Sequence, residues 1–312
     1  MADDPNMSDI SATINTLLRF WDRSVETYGG AGIETSTISQ DMRIGRDLGW
    51  SESTAQQTRT VSFLIASSVA QMARSISALF ESTEKYPLTF GHVPLARSIY
   101  EGVGQVKWIL SDDDDLFASV VVTLTPEETT RRCQRRAARA LLTTAASWQQ
   151  CIVDADFQRD AELGDDAREK LAELEACAFE VCEVTKSKDG QWSMYDLSRP
   201  GSRWFGEQGW QLAWWPERVD WHPYGYVCAV SHHNLYPLAA VLTRTISNGQ
   251  DVLHVGPPKL EVFAGGLFAC FAFARMIVVL FSYLSWPVDG VSEAWPPMNA
   301  ANTMIREHSD LL

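Results

Sequence analysis

The sequence of 312 residues predicts an all-α protein, built as a single helical-bundle domain (1–312) of about eight helices. Apolar residues recur three and four positions apart along most of the chain, which is the spacing of an amphipathic helix. No stretch alternates convincingly with the period of two that marks a half-buried strand, and only short runs such as 120–124 resemble strands. No repeat of about 20–50 residues appears, so neither a solenoid nor a propeller is expected.

The N-terminal part of the chain predicts three helices. Residues 8–27 and 53–82 carry apolar side chains at helical spacing. Residues 28–52, between them, contain five glycines and predict a loop. Pro94 stands where proline is favoured, in the first turn of a third helix that runs to about Leu110.

The start of the next helix has the strongest local signature in the chain. Thr125 can cap the helix, Pro126 suits its first position, and Glu128 stands three residues after the threonine. Threonine followed by glutamate at this spacing forms a capping box, in which each side chain binds the other's backbone N–H. The sequence therefore predicts a helix from Thr125 to about Asp154.

The C-terminal part predicts three more helices and one irregular insertion. Helical spacing covers 165–185, then 226–247, then 258–286. The insertion, 186–225, is rich in tryptophan and predicts a lid or a wall that faces a ligand, with an insertion packed on the bundle as the alternative. Residues 287–312 form a Pro-rich and then polar tail.

Composition limits the function classes. The net charge of −14 argues against a general electrostatic hold on nucleic acid, because phosphates would be repelled on average. The twelve tryptophans supply large apolar surfaces that suit both cores and aromatic pockets. None of the six cysteines forms a Cys-x-x-Cys pair, and the first residues lack the order of a signal peptide. We expect a cytoplasmic protein, with a homodimer as one possible assembly.

The segment 262–286 is apolar over a length that would span a bilayer. Arg275 stands at its centre, where insertion into a membrane costs about 2.5–3.5 kcal/mol. We therefore expect a buried core helix here, and a membrane span is the alternative.

Two charged groups near the third helix are candidate site residues. Arg97 and Glu101 are one helical turn apart, and we expect them as catalytic residues of a polar pocket; the alternative is a structural ion pair. Asp112, Asp113 and Asp115 belong to a tetrad that is a candidate Mg²⁺ site, because hard cations prefer carboxylate oxygens. The alternative is a solvated acidic turn.

Further candidates lie later in the chain. His232 is the third candidate catalytic residue, although it also suits a buried structural role. An arginine-rich helix face at 131–139 suits phosphate, with a solvated face as the alternative. Aromatic side chains of the insertion would line an apolar pocket. The candidate substrate-binding residues are Trp108, Arg131, Arg135, Trp204, Trp210, Trp214, Trp215, Tyr226 and Arg275.

Two islands of sequence carry a resemblance. Arg97-x3-Glu101 followed by Trp108-Ile-Leu-x-Asp112, with a distal Tyr226-x4-Ser231-His232, resembles a large group of uncharacterised helical proteins common in actinobacteria. That group places its histidine some residues after the serine, whereas His232 follows Ser231 directly. The group is distantly similar to helical ribonuclease and phage-defence domains, which implies a ribonuclease that uses Arg97 and His232.

A looser architectural similarity is to bacterial class I terpene cyclases. Those proteins are all-α, acidic and rich in aromatic residues, and they place an Asp-rich motif at the end of an apolar helix. This similarity implies a noncanonical lyase that cyclises a prenyl diphosphate with Mg²⁺. Our leading expectation is an enzyme with an aromatic pocket for an apolar small molecule, and this cyclase is its most concrete form. The alternatives are a helical defence or regulatory protein, such as the ribonuclease, and a non-enzymatic ligand-binding or interaction protein.

Overall fold

The computed structural model describes residues 7–29, 37–82, 91–110, 125–181, 242–247, 250–255 and 259–307. These ranges contain nine α-helices, one 3-10 helix and one antiparallel hairpin of two strands. The all-α helical bundle is confirmed, with the hairpin as its only addition in the ranges named. The helices are α1 (Met7–Tyr28), α2 (Thr37–Asp47), α3 (Glu52–Ala55), α4 (Gln57–Glu81), α5 (His92–Leu110), α6 (Pro126–Gln158), α7 (Ala161–Val181), α8 (Lys259–Leu284) and α9 (Trp295–Glu307); the strands are β1 (Leu242–Ser247) and β2 (Gln250–Val255), and the 3-10 helix covers Asp289–Ala294.

Helix α8 is the centre of the main core. It packs against α1, α4 and α5, and most of its described side chains are buried. A helix that is apolar on every side is stable only where neighbours cover every side. Tyr100 of α5 stacks on Phe268 with ring centroids 4.4 Å apart. Gly266 allows the Phe80 ring of α4 to approach, since a Cβ there would lie 2.3 Å from a ring carbon.

Two helices in the described ranges are long and apolar enough to cross a membrane, judged by length and composition alone. They are Gln57–Glu81 and Gly265–Leu284. In the second, 72% of the most apolar window is buried inside the bundle. This burial accords with the expected core helix around Arg275.

A second, smaller core joins α6 to α7. Ala138 and Leu142 of α6 pack with Ala178 and Val181 of α7, apart from the main core. Helix α6 has 33 residues and is therefore about 50 Å long. It ends at Gln158, and the left-handed backbone of the next residue, Arg159 (φ 59°), turns the chain into α7. Near this turn the side chain of Phe157 is 89% exposed.

The capping box at the start of α6 is confirmed. The hydroxyl of Thr125 accepts a hydrogen bond of 3.3 Å from the backbone N–H of Glu128. The carboxylate of Glu128 accepts one of 2.8 Å from the backbone N–H of Thr125. These hydrogen bonds hold the pKa of Glu128 below its usual value.

Residues 37–47 form a helix, so the loop expected over 28–52 is wrong for that part. Gly45 is a packing position rather than a turn position. A Cβ at Gly45 would lie 2.9 Å from the Cβ of Ala55, so the absent side chain lets α2 approach α3. Gly49, with φ 77°, supplies the turn that follows α2.

Residues 242–247 form a strand, so the helix expected over 226–247 is wrong for that part. Leu242–Ser247 pairs antiparallel with Gln250–Val255, and Ser247 lies opposite Gln250. Thr243, Thr245 and Ile246 are β-branched residues, which favour strands. The two residues between the strands in the sequence are Asn-Gly, the strongest short hairpin signal.

Candidate functional site

Helix α5 carries the first candidate residues. Nε of Arg97 donates a hydrogen bond of 2.8 Å to Oε1 of Glu101, so the two charges form an ion pair within one helix. The Arg97 side chain is 25% exposed and the Glu101 side chain 38%, so both reach solvent. This geometry matches the structural alternative and still leaves both groups accessible at one face of α5.

The end of α5 is fixed to α6 by a buried arginine. Nη1 of Arg136 donates a hydrogen bond of 2.6 Å to the carbonyl oxygen of Trp108. The same guanidinium lies 5.5 Å from the centroid of the Trp108 ring, a cation–π contact. The last carbonyls of a helix carry partial negative charge and favour a cation. Trp108 is therefore a buried partner of Arg136.

A pair of like charges lies between α5 and α8. Lys107 and Arg275 are half-buried and close enough to repel each other. Burial, and then the charge of Arg275, lowers the pKa of Lys107 to about 8. Burial also lowers the pKa of Arg275. Burial and a neighbouring like charge both disfavour the charged form of a basic side chain.

The arginine-rich face of α6 is divided among different partners. Arg131 pairs with Glu127 on its own helix, with Nη2 and Oε1 2.9 Å apart and both side chains largely exposed. Nε of Arg135 donates to the carbonyl oxygen of Val181 at the end of α7, at 3.3 Å. The first contact matches the solvated alternative, and the second ties α6 to α7.

Several candidates lie outside the described residues. They are Asp112, Asp113, Asp115, Trp204, Trp210, Trp214, Trp215, Tyr226 and His232. Within the part of the chain that the structure describes, no group of three histidine, cysteine, aspartate or glutamate side chains could hold a metal ion.

A buried polar network, which the sequence does not predict, forms where α2, α6 and α8 meet. The carboxylate of Asp41 accepts hydrogen bonds from the Tyr283 hydroxyl at 2.6 Å and from the Thr130 hydroxyl at 2.7 Å. Burial and the Asp41 charge raise the pKa of Tyr283 well above its usual value. Asp41 itself is only 6% exposed.

The network borders other buried polar groups. The amide nitrogen of Gln134, one turn after Thr130 on α6, donates to the carbonyl oxygen of Ala55 at 2.9 Å. Neither side-chain amide atom of Gln57, which begins α4, has a hydrogen-bond partner in the described part of the chain. Because a buried polar group without a hydrogen bond costs about 1–3 kcal/mol, the hydrogen bonds of Asp41 and Gln134 stabilise this junction.

The chain matches no protein-family profile, and neither the curated proteins nor the solved structures contain a match to it.

Proposed function

We propose that the protein is an enzyme that binds the diphosphate of an apolar small molecule at the end of α5. Its reaction would be the Mg²⁺-assisted cyclisation of a prenyl diphosphate. The half-buried pair of Lys107 and Arg275 is the observation that carries this proposal. The cationic groups of both residues would contact phosphate oxygens directly.

Electrostatics supports an anionic ligand at this place. The charged form of Lys107 bears two costs, which are burial and repulsion by the charge of Arg275, and burial also disfavours the charged form of Arg275. A phosphate between them would relieve both costs at once. Arg136, buried beside Trp108, adds a third positive charge at the same end of α5. The surrounding bundle is apolar, which suits the hydrocarbon part of the ligand.

The metal belongs to the same proposal. Asp112 follows Leu110, the last residue of α5, by two positions in the sequence. Carboxylate oxygens of Asp112, Asp113 and Asp115 have the chemistry that Mg²⁺ prefers, and Mg²⁺ commonly joins such groups to substrate phosphates. The metal would withdraw charge from the diphosphate as it leaves.

Thermal melting with inorganic pyrophosphate, in the presence and absence of Mg²⁺, tests the proposal. A ligand at a hundred times its dissociation constant adds about 2.7 kcal/mol of stability, which is readily measured. Lys107→Gln and Arg275→Gln should each reduce the shift, because each removes a positive charge from the ligand. Lys170→Gln is the matched control, since Lys170 is an exposed lysine of α7.

Three results separate this function from its alternatives. Loss of the Mg²⁺-dependent shift in Asp112→Asn, with no change in His232→Ala, supports the cyclase. The reverse pattern, with cleavage of RNA, supports a ribonuclease that uses Arg97 and His232. Ligand-dependent stabilisation without any product from prenyl diphosphates supports a binding protein. No pyrophosphate shift at saturation would refute the site at Lys107 and Arg275.

A further inference from the structure

A cleft of about 290 Å³ lies between α1 and the segment that contains the 3-10 helix. Arg19 and Arg23 line it from α1, one helical turn apart. Pro287 and Gly290 line it from the other side. The cleft shares no lining residue with the end of α5, so it is a separate place in the molecule.

Both arginines lack a carboxylate partner within the described ranges. Arg19 donates to the hydroxyl of Thr16 at 3.1 Å, and Arg23 makes no ion pair there. The acid of the cleft, Glu293, lies on the opposite wall and is more than 4.0 Å from either guanidinium. Like charges one helical turn apart repel each other and destabilise a helix. In a chain of net charge −14, two neighbouring arginines that form no ion pair within the described ranges are a local positive site.

Aromatic rings form the apolar walls, and packing holds them in place. The ring of Phe20 contacts that of Phe281, with centroids 5.7 Å apart. Gly290 lies directly against Phe20, since a Cβ there would be 2.2 Å from a ring carbon. Tyr28 contacts the buried Trp286, with ring centroids 5.9 Å apart. Because core residues hold both rings, the cleft needs little reorganisation to receive a ligand.

We infer that this cleft binds a small aromatic anion, such as an aryl phosphate or an aryl carboxylate. The guanidinium groups of Arg19 and Arg23 hold the anionic head in the bidentate manner that suits phosphate and carboxylate. The aromatic body lies against Phe20 and Tyr28, with Pro287 as the facing apolar surface. The volume is near the lower end of known ligand pockets, about 300 Å³, and fits one substituted ring.

Isothermal titration calorimetry with phenyl phosphate, benzoate and inorganic phosphate tests this inference. Phenyl phosphate should bind about tenfold more tightly than inorganic phosphate, because only the former uses the aromatic walls. The ratio of phenyl phosphate to benzoate affinity identifies the preferred head group. Equal affinity for phenyl phosphate and inorganic phosphate would overturn the aromatic part of the inference.

Variants locate the binding. Arg19→Gln and Arg23→Gln should each weaken phenyl phosphate binding about tenfold, because a charge-assisted hydrogen bond is lost. Arg43→Gln, at an exposed arginine of α2, is the matched control and should leave the affinity unchanged. Thr27→Trp, which fills the cleft from its exposed rim, should abolish binding while the fold is retained. No binding by the unaltered protein, or full binding by all variants, would overturn the site.

Discussion

The hydroxyl of Tyr283 donates a hydrogen bond of 2.6 Å to Oδ2 of Asp41, joining the last turn of the central helix α8 to α2. Asp41 is buried and Tyr283 is partly buried, and Thr130 of α6 donates to the other oxygen of the same carboxylate. Three helices that are distant in sequence therefore share one carboxylate. A buried carboxylate needs these donors, because a charge removed from water without hydrogen bonds is costly.

Tyr283→Phe should destabilise the protein by about 1.5–3 kcal/mol, the usual worth of a hydrogen bond to a charged group. The substitution removes one donor and leaves the Asp41 carboxylate buried. Urea denaturation at pH 7 measures the difference. Tyr28→Phe is the control, because Tyr28 is partly exposed and its hydroxyl forms no hydrogen bond in the described ranges. Equal stability of the two variants would contradict the prediction.

The same tyrosine predicts a loss of stability at high pH. The folded protein keeps the Tyr283 proton to a higher pH than the unfolded chain, because burial and Asp41 raise its pKa. The unfolded chain releases that proton near pH 10. The free energy of unfolding should therefore fall as the pH rises above about 10, and fall less steeply in Tyr283→Phe. Denaturation curves at successive pH values measure both slopes.

Lys107 predicts a change of opposite sign at lower pH. Its pKa is about 8 in the folded protein and 10.5 in its ordinary state. Between these values the unfolded chain holds more protons, so the free energy of unfolding should rise with pH. Lys107→Met should be more stable than the unaltered protein at pH 7 and should lose this rise. Lys170→Met should keep the rise, and a flat profile in that control would contradict the assignment to Lys107.

Two adjacent glycines of α8 should respond oppositely to alanine. Gly266→Ala should destabilise the protein by about 1–3 kcal/mol, because the new Cβ meets the Phe80 ring. At Gly265 the nearest atom to a new Cβ is 3.5 Å away, on His92, which is an ordinary contact. Alanine is favoured over glycine in a helix, so Gly265→Ala should be neutral or stabilising by up to about 1 kcal/mol. Thermal melting of both variants measures the contrast.

Phe157 should contribute almost nothing to stability. Its side chain is 89% exposed, so Phe157→Ala should change the free energy of unfolding by about 0.5 kcal/mol at most. Phe281→Ala, at a fully buried position of α8, should cost about 3–5 kcal/mol. Chemical denaturation compares them. A large loss on truncating Phe157 would mean that a second molecule covers it in solution.

Local sequence signals predicted the elements whose stability is local. The capping box of Thr125 and Glu128 is complete within four residues, and the apolar periodicity of α1, α4 and α8 is internal to each helix. Gly45 contributed to the wrong prediction of a loop. The sequence alone does not distinguish a glycine that allows close helix packing from one that forms a turn. The Asn-Gly between β1 and β2 is a local signal that predicts a hairpin of two strands at this place.

The polar contacts of the site depend on tertiary structure. No local pattern indicates that Tyr283 meets Asp41 or that Arg275 lies near Lys107, because each pair is far apart in the chain. The Arg97–Glu101 pair, by contrast, is one helical turn apart and followed from spacing alone. The cation–π contact of Trp108 required the position of α6, which the sequence does not supply.

The division of the apolar residues into a large and a small core has a consequence for local unfolding. The small core between α6 and α7 contains five buried side chains, which are three alanines, one valine and one leucine. Little apolar surface would therefore be exposed when the two helices separate. Regions with few buried contacts open at lower free energy than the core as a whole. The backbone amides of α7 should therefore exchange their hydrogens with solvent long before those of α8, and proteases should reach the α6–α7 hairpin while the main bundle is still intact.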